Sequence, residues 1–504
     1  MRVLGFFPPN GVLFIIFSLF ILSCEVKQEG QDLSHTGDLE PVSASEFNSL
    51  LPQDQYRVTN KLASTLYKGV PPGDFFDLER SEFDMTRKDN SNYLQRIKDQ
   101  LNSPLPPDKR EYYLRRVEEN YNYDSPFREA QEIMTMLWEF PLSRDYYDLW
   151  MAYFLANTIM FTPGQEVEPV QYLDIKKVYS RLLRMISQDY PVREIVYQHM
   201  ISQENWRRFR SPEDNTREMM EIFLRRFRDE EVPKAAKACQ NWSLTGQDQG
   251  YQLVVDYNEN TEPQSILDTT VTTCWDFYRA IADHPRLMPT VVAVIVDHLF
   301  SMSSEEEKQR IVDGVLAKNP RTFRDIFNIL LFSRAYLLGA ERPKKWEEAF
   351  LGTAKRIYYK PSENFFRFAN RVGWGSGSTI KLYDMKQPPF IEKLGRTPVP
   401  PLDALSFAFY HKSLRENLMI NRSSNTDDAG WQEELYNVQF TGDDFINYIF
   451  VTALGREATQ EELDTFNQIF ESKGFEDRHR WQKTRLILDY ISRLPEFYMF
   501  RKVK

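Results

Sequence analysis

The sequence is poor in the residues on which catalysis and cofactor binding usually rest. It holds three cysteines and six histidines among 504 residues. No C-x-x-C pair occurs, which argues against a cysteine-rich zinc site, and the absence of C-x-x-C-H excludes c-type haem by its usual attachment. No two histidines stand at H-E-x-x-H spacing. The glycine-rich stretch Gly373-Trp374-Gly375-Ser376-Gly377-Ser378 lacks the G-K-[ST] ending that a phosphate cradle requires, and reads as a turn. Positive charge is not in excess. The net charge of −10 argues against general nucleic-acid affinity, which depends on basic patches facing phosphate. The local exception is Trp206-Arg207-Arg208-Phe209-Arg210 with Arg225, Arg226 and Arg228. Glu213, Asp214, Glu218, Glu221, Asp229, Glu230 and Glu231 surround it, so ion pairing on helix surfaces is the expectation there. No cofactor and no metal site is expected.

Long apolar runs are scarce too. The prominent one, Val12 to Leu22, follows Met1-Arg2 and falls short of the roughly 20 residues a membrane span needs. Pro8-Pro9-Asn10-Gly11 blocks its extension backwards. A basic end, a short apolar core and a small closing residue form the pattern of an export signal. The closing residues Ile21-Leu22-Ser23-Cys24 resemble the bacterial lipobox, in which a thiol is needed because lipid is attached through a thioether before cleavage. Residues 1–23 are therefore expected to be a lipoprotein signal peptide and Cys24 the lipidated residue. The stretch after it, EVKQEGQDLSHTGDLEPVSASE, is too poor in hydrophobes to offset chain entropy. Residues 24–55 are expected to be a flexible tether between lipid and body.

What the chain does have is aromatic residues, 36 Phe, 26 Tyr and 9 Trp, enough for a sizeable core. Leu149, Ala152, Tyr153, Ala156 and Ile159 recur at three- and four-residue steps behind Ser143 and Asp145. Ile175, Val178, Leu182, Met185 and Ile186 repeat the spacing, as do Val192, Ile195, Val196, His199 and Met200, which places His199 on a core stripe. Alternation with period two is rare, and YQLVVDY at 251–257 is the best strand candidate. The fold class expected is all-α: a multi-helix extracytoplasmic protein with long loops. The main helical domain would span 56–370. Pro388-Pro389, Pro398 to Pro401 and Asn421 to Gly430 mark a loop-rich connection over 371–435, and 436–504 would form a small C-terminal helical module.

One stretch is distinctive. Pro212-Glu213-Asp214-Asn215-Thr216-Arg217-Glu218-Met219-Met220-Glu221 opens a helix. Glu230-Glu231-Val232 then opens another, Pro233-Lys234-Ala235-Ala236-Lys237-Ala238-Cys239, which runs to Asn241-Trp242. This resembles an exported bacterial family catalogued as domain of unknown function eighteen hundred. Glu213, Arg217, Glu218, Glu221, Val232, Ala235, Ala236, Ala238 and Trp242 fall on its motif positions. Looser similarity covers about 190–340, and Asp214, Thr216 and Lys237 depart from the family pattern, so the chain looks like a divergent member. The resemblance implies an exported protein of unknown activity, often found with an exported sulfatase-like partner. The tail is similar to a small module of secreted bacterial proteins that joins a Leu-Gly-Arg turn, here Leu454-Gly455-Arg456, to a terminal Pro-Glu-Phe, here Pro495-Glu496-Phe497. Gly455 should end one helix, and Thr459 should cap the next with Glu462 at the capping-box position.

Two chemistries can be read into the motif. Glu218 and Glu221 share a helix face with Glu213 just before it, and paired carboxylates flanking a cleft can hydrolyse glycosides. Equally, Arg217 and Glu221 are four apart and can pair, while Glu213 and Asp214 suit a helix start. Asp297-His298 is a lone acid–histidine pair. With Cys24 assigned to lipid, Cys239 and Cys274 remain. A disulfide between them is open to a chain exported to an oxidising compartment, and spacing alone does not decide it. The functional expectation is a lipid-anchored, non-enzymatic binding or scaffold protein of the cell envelope. Its partners would be the membrane, through Cys24, and an envelope protein or polysaccharide, but no nucleic acid. The alternative is an envelope polysaccharide hydrolase acting through Glu213, Glu218 and Glu221.

Overall fold

A computed structural model describes residues 38–79, 82–88, 92–120, 128–160, 172–209, 211–225, 227–246, 252–257, 262–360, 430–431, 433–436 and 438–503. The signal segment, Cys24, the first part of the expected tether, the Gly373 loop and the proline-rich connection lie outside these residues. Among them the chain is mostly helical, with four short antiparallel two-stranded ladders. None of the described helices is long and apolar enough to cross a membrane.

Polar signals in the sequence set the helix ends. The Oγ of Ser143 accepts the Tyr146 amide at the start of Arg144–Ala156, a helix so apolar that residues 146 to 156 are all buried. Capping boxes at Thr273/Asp276, Ser304/Glu307, Thr322/Asp325 and Thr459/Glu462 start four more helices. In each, the hydroxyl and the carboxylate satisfy amides that a helix N-terminus otherwise leaves unpaired. Gly455, at φ +75°, ends Gly442–Leu454 in the left-handed conformation that costs glycine least. The expected strand is there as Gln252–Val255, paired antiparallel with Trp242–Thr245.

Two expectations about boundaries need correction. Residues 38–55 are not tether. Leu39, Val42 and Phe47 are buried, and α1 (Ala44–Ser49) and α2 (Pro52–Thr65) are already formed. The incoming strand is zipped to the body: Val42 N donates to Phe332 O (3.1 Å), Arg334 N to Glu40 O (2.9 Å) and Ala335 N to Asp38 O (2.8 Å). Arg334 reaches both Asp38 and Glu46, at 3.1 and 2.7 Å. Three well-spaced apolar residues suffice here because the partner surface supplies the rest of the burial.

Nor is 436–504 a module of its own, since Thr36–Lys504 forms one compact unit. Arg342–Pro343 pairs with Met499–Phe500, Lys344 N donates to Tyr498 O (2.8 Å) and Val503 N to Leu338 O (3.0 Å). Phe83 packs edge-on against both Phe440 and Tyr448. The Leu-Gly-Arg and Pro-Glu-Phe signatures are two halves of one clasp: the Arg456 guanidinium takes both oxygens of Glu462 (2.8 and 3.0 Å) and Glu496 Oε1 (3.0 Å from Nε). Phe497, next to Glu496, is buried in the core.

Candidate functional site

The family-motif residues sit on the helix Pro212–Leu224. Ser211 caps it by accepting the Asp214 amide (3.1 Å), and Pro212 occupies the first turn, where no amide is missed. Asn215, Thr216, Met219, Met220, Ile222, Phe223 and Leu224 face the core. Asn215 is fixed there by the Tyr278 hydroxyl, which donates to its Oδ1 at 2.7 Å. Glu213 and Arg217 face solvent, 4.0 Å apart, with 67% of the Glu213 side chain exposed. Glu218 and Glu221 are half-buried. Arg217 is thus brought to Glu213, and the three glutamates are spread along the helix from an exposed end to a half-buried middle.

Just beyond this helix the chain makes its most irregular excursion. Cys239, which ends Glu231–Ala238, is disulfide-bonded to Cys274, the first residue of Cys274–Asp283; 35 positions separate them. Between the two lie two hairpins, β1 (Trp242–Thr245) with β2 (Gln252–Val255) and β3 (Gln264–Ile266) with β4 (Thr269–Val271). The β3–β4 turn puts Leu267 and Asp268 at positive φ, the signature of a tight two-residue hairpin. Glu231 pins it by accepting the Leu267 amide (2.9 Å), while Arg228 binds the same carboxylate at 2.8 Å. Burial would raise the Glu231 pKa, but these donors outweigh it and hold the carboxyl below its usual range.

Trp242 opens β1 as a buried hub. Its ring lies 5.3 Å from Trp206, 5.0 Å from Trp275 and 5.9 Å from Tyr278. The motif tryptophan therefore fastens the first hairpin to the helices. Trp275, half-buried, carries Tyr257 nearly parallel to it at 6.3 Å, and Tyr257 is 79% exposed. Aromatic rings thus run from the core to a terrace on the surface, with the partly exposed Val254 on β2.

A second cluster is one that charge in the sequence does not disclose. Arg342, fully buried, pairs with both oxygens of Glu348 (2.7 and 2.6 Å) and with the Tyr336 hydroxyl (2.9 Å). Burial works against the guanidinium's charge, but the Glu348 carboxylate prevails and its pKa stays above the ordinary value. Elsewhere in the core, three buried lysines end on helix-terminal carbonyls. Lys61 donates to Ala340 O, Lys68 to Leu137 O and Trp138 O (2.6 and 2.9 Å), and Lys344 to Phe497 O (2.7 Å). Helix C-termini carry partial negative charge, so these ammonium groups act as buried caps. Burial still drives all three lysine pKa values well down. Lys345, over the Phe154 ring, is lowered to about 8, mainly by burial. Glu347, held by Tyr153 (2.8 Å), is raised by burial. The run Lys344-Lys345-Trp346-Glu347-Glu348 looks like a solvated face in sequence, and its only hint of burial is the aromatic company it keeps.

His199 and His298 are both buried, in line with the core stripe expected for His199. Asp297 is held by Arg225 (3.1 Å) and Lys308 (3.6 Å). Among the described residues no group of His, Cys, Asp and Glu is placed to hold a metal ion. No family model matches the chain, and no match is found among the curated proteins or the solved structures.

Proposed function

We propose that this chain is a lipid-anchored protein of the bacterial cell envelope, attached through Cys24 to the cell membrane or outer membrane, that binds a partner without converting it. The exported family that its motif resembles fits this reading. The observation that carries it is the Cys239–Cys274 clamp and the aromatic terrace it presents. A disulfide is expected of a chain that folds in an oxidising compartment. Tyr257, exposed just beyond β2 and laid on Trp275 of the helix that Cys274 opens, is a contact surface with little rotamer entropy to lose on binding. The hydrolase alternative requires two carboxylates flanking a cleft; Glu213, exposed beside Arg217, gives it no support.

The test is metabolic labelling with a fatty-acid analogue, comparing the native chain with Cys24→Ala, followed by fractionation. Label that depends on Cys24 and stays with the membrane is the expected result. Unlabelled protein, soluble in both forms, would remove the anchor from the reading. Tyr257→Ala is expected to leave label and stability unchanged while weakening crosslinking to the envelope partner.

A further inference from the structure

The aromatic chain beside the first hairpin holds three indoles and a phenol in a row. Trp206, Trp242 and Trp275 follow one another at 5.3 and 5.0 Å between ring centroids, and Tyr257 lies 6.3 Å beyond Trp275. Each step falls within the roughly 4.5–7 Å at which aromatic rings pair. Indoles and phenols lose a single electron more easily than almost any other side chain, and an electron crosses between rings this close faster than a new reactant can diffuse in. Trp206 and Trp242 are buried, Trp275 is half-buried, and Tyr257 is the most exposed tyrosine among the described residues. The row of rings leads from the core to water.

Proton release sets the direction of travel. A tyrosine gives up an electron readily when its phenolic proton leaves as well, and the neutral radical so formed is a weaker oxidant than a tryptophan radical cation. Trp242 Nε1 is buried with no acceptor among the described residues, so an electron vacancy there keeps its proton and stays strongly oxidising. Tyr257, standing in solvent, can hand its proton to water. The side branch is closed. Tyr278 also adjoins Trp242, at 5.9 Å, but it is fully buried and its hydroxyl donates to the Asn215 amide oxygen at 2.7 Å, a group too weakly basic to take the proton. Burial holds the Tyr278 phenol well above its ordinary pKa, which acts in the same sense.

We infer that Trp242, Trp275 and Tyr257 form a relay that carries one-electron oxidation outwards, and that Tyr257 is the residue it modifies. A radical oxidant takes one electron from Trp275 or Trp242 and is itself reduced. Tyr257 then gives an electron to the indole and its phenolic proton to water, which leaves a neutral tyrosyl radical and an intact tryptophan. Two such radicals from two chains join through a carbon–carbon bond between their rings, giving dityrosine with no further oxidant. The relay needs no binding partner, so it stands or falls apart from the reading of this surface as a contact site.

The probe is the azide radical, made by pulse radiolysis of the purified full chain in azide solution; it takes electrons from tryptophan faster than from tyrosine. The tryptophanyl absorption should decay into the tyrosyl absorption at a rate independent of protein concentration. Peptide mass spectrometry should then find dityrosine at Tyr257, with Trp242 and Trp275 intact. Tyr257→Phe keeps the ring and removes the proton; it should lower the amplitude of the transfer, abolish cross-linking at this position and leave oxidised products on Trp275 and Trp242. Trp275→Phe, which removes the middle step, should lower the amplitude as well. A transfer whose amplitude Tyr257→Phe leaves unchanged would overturn the inference. So would a native chain whose oxidised products stay on Trp242 and Trp275 while Tyr257 is unmodified.

Discussion

Reducing the Cys239–Cys274 bond should destabilise the whole body by an amount that follows from its position. Cross-linking residues 35 apart removes loop-closure entropy from the unfolded chain. With the usual chain-entropy expression, −2.1 − 1.5R ln n cal/mol/K, a loop of this size is worth about 3.8 kcal/mol at 25 °C. If the unit Thr36–Lys504 unfolds together, an unfolding entropy of roughly 2.1 cal/mol/K for each of about 470 residues gives a fall in Tm of about 4 °C. The measurement is thermal unfolding with and without dithiothreitol, with thiol titration to establish that Cys239 and Cys274 are free after reduction. Both cysteines are fully buried, so the bond is reduced in denaturant and the reduced chain refolded before heating. An unchanged Tm with both thiols titratable would refute the reasoning. A fall confined to protease sensitivity of the hairpins would show that they unfold apart from the helices.

Three further outcomes are expected. Burial, helped by Arg181 and Arg208, lowers the His199 pKa to about 3. The unfolded state then takes up this proton near pH 6.5 and the folded state only near 3, so stability is lost as pH falls through that window, by up to about 5 kcal/mol; His199→Leu should flatten the acid limb of a stability–pH curve. Lys345 runs the other way: with a folded value of about 8, the unfolded chain binds more protons between pH 8 and 10.5, so stability rises across that range. Lys345→Met should abolish this rise and stabilise the protein at pH 7 by about 3 kcal/mol in urea titration. Glu348→Leu leaves Arg342 buried without its carboxylate and should cost about 3–5 kcal/mol, much of it recovered in Glu348→Leu/Arg342→Met; a single-variant cost below about 1 kcal/mol would show that water reaches the guanidinium.

Local signals carried the helix ends well. Thr459 with Glu462, Gly455 and Ser143 act where they stand, because a cap is decided within four residues. What sequence did not disclose was distant. Leu39, Val42 and Phe47 are too few to predict burial until the edge at Phe332–Ala335 is known to receive them. The C-terminal helices seemed separate because a long polar stretch precedes them, yet their closing strand belongs beside Arg342. The motif glutamates suggested chemistry by their spacing, but helical spacing says only which residues share a face. Lys61, Lys68 and Lys344 carry no signal of burial in sequence, because nothing nearby shows that each meets a helix terminus 69 to 279 positions away.

The pairing of Arg342–Pro343 with Met499–Phe500, and of the Lys344 ammonium with Phe497 O, sets an order on assembly. A chain synthesised from its N-terminus delivers Lys344 more than 150 positions before its acceptor arrives. Until residues 497–500 emerge, a cation destined for the core has no carbonyl to meet, and the strand beside it is an open edge. The fold therefore stays unlatched through most of its synthesis and locks at the end, and a chain ended before Phe497 would be left with its closing step undone.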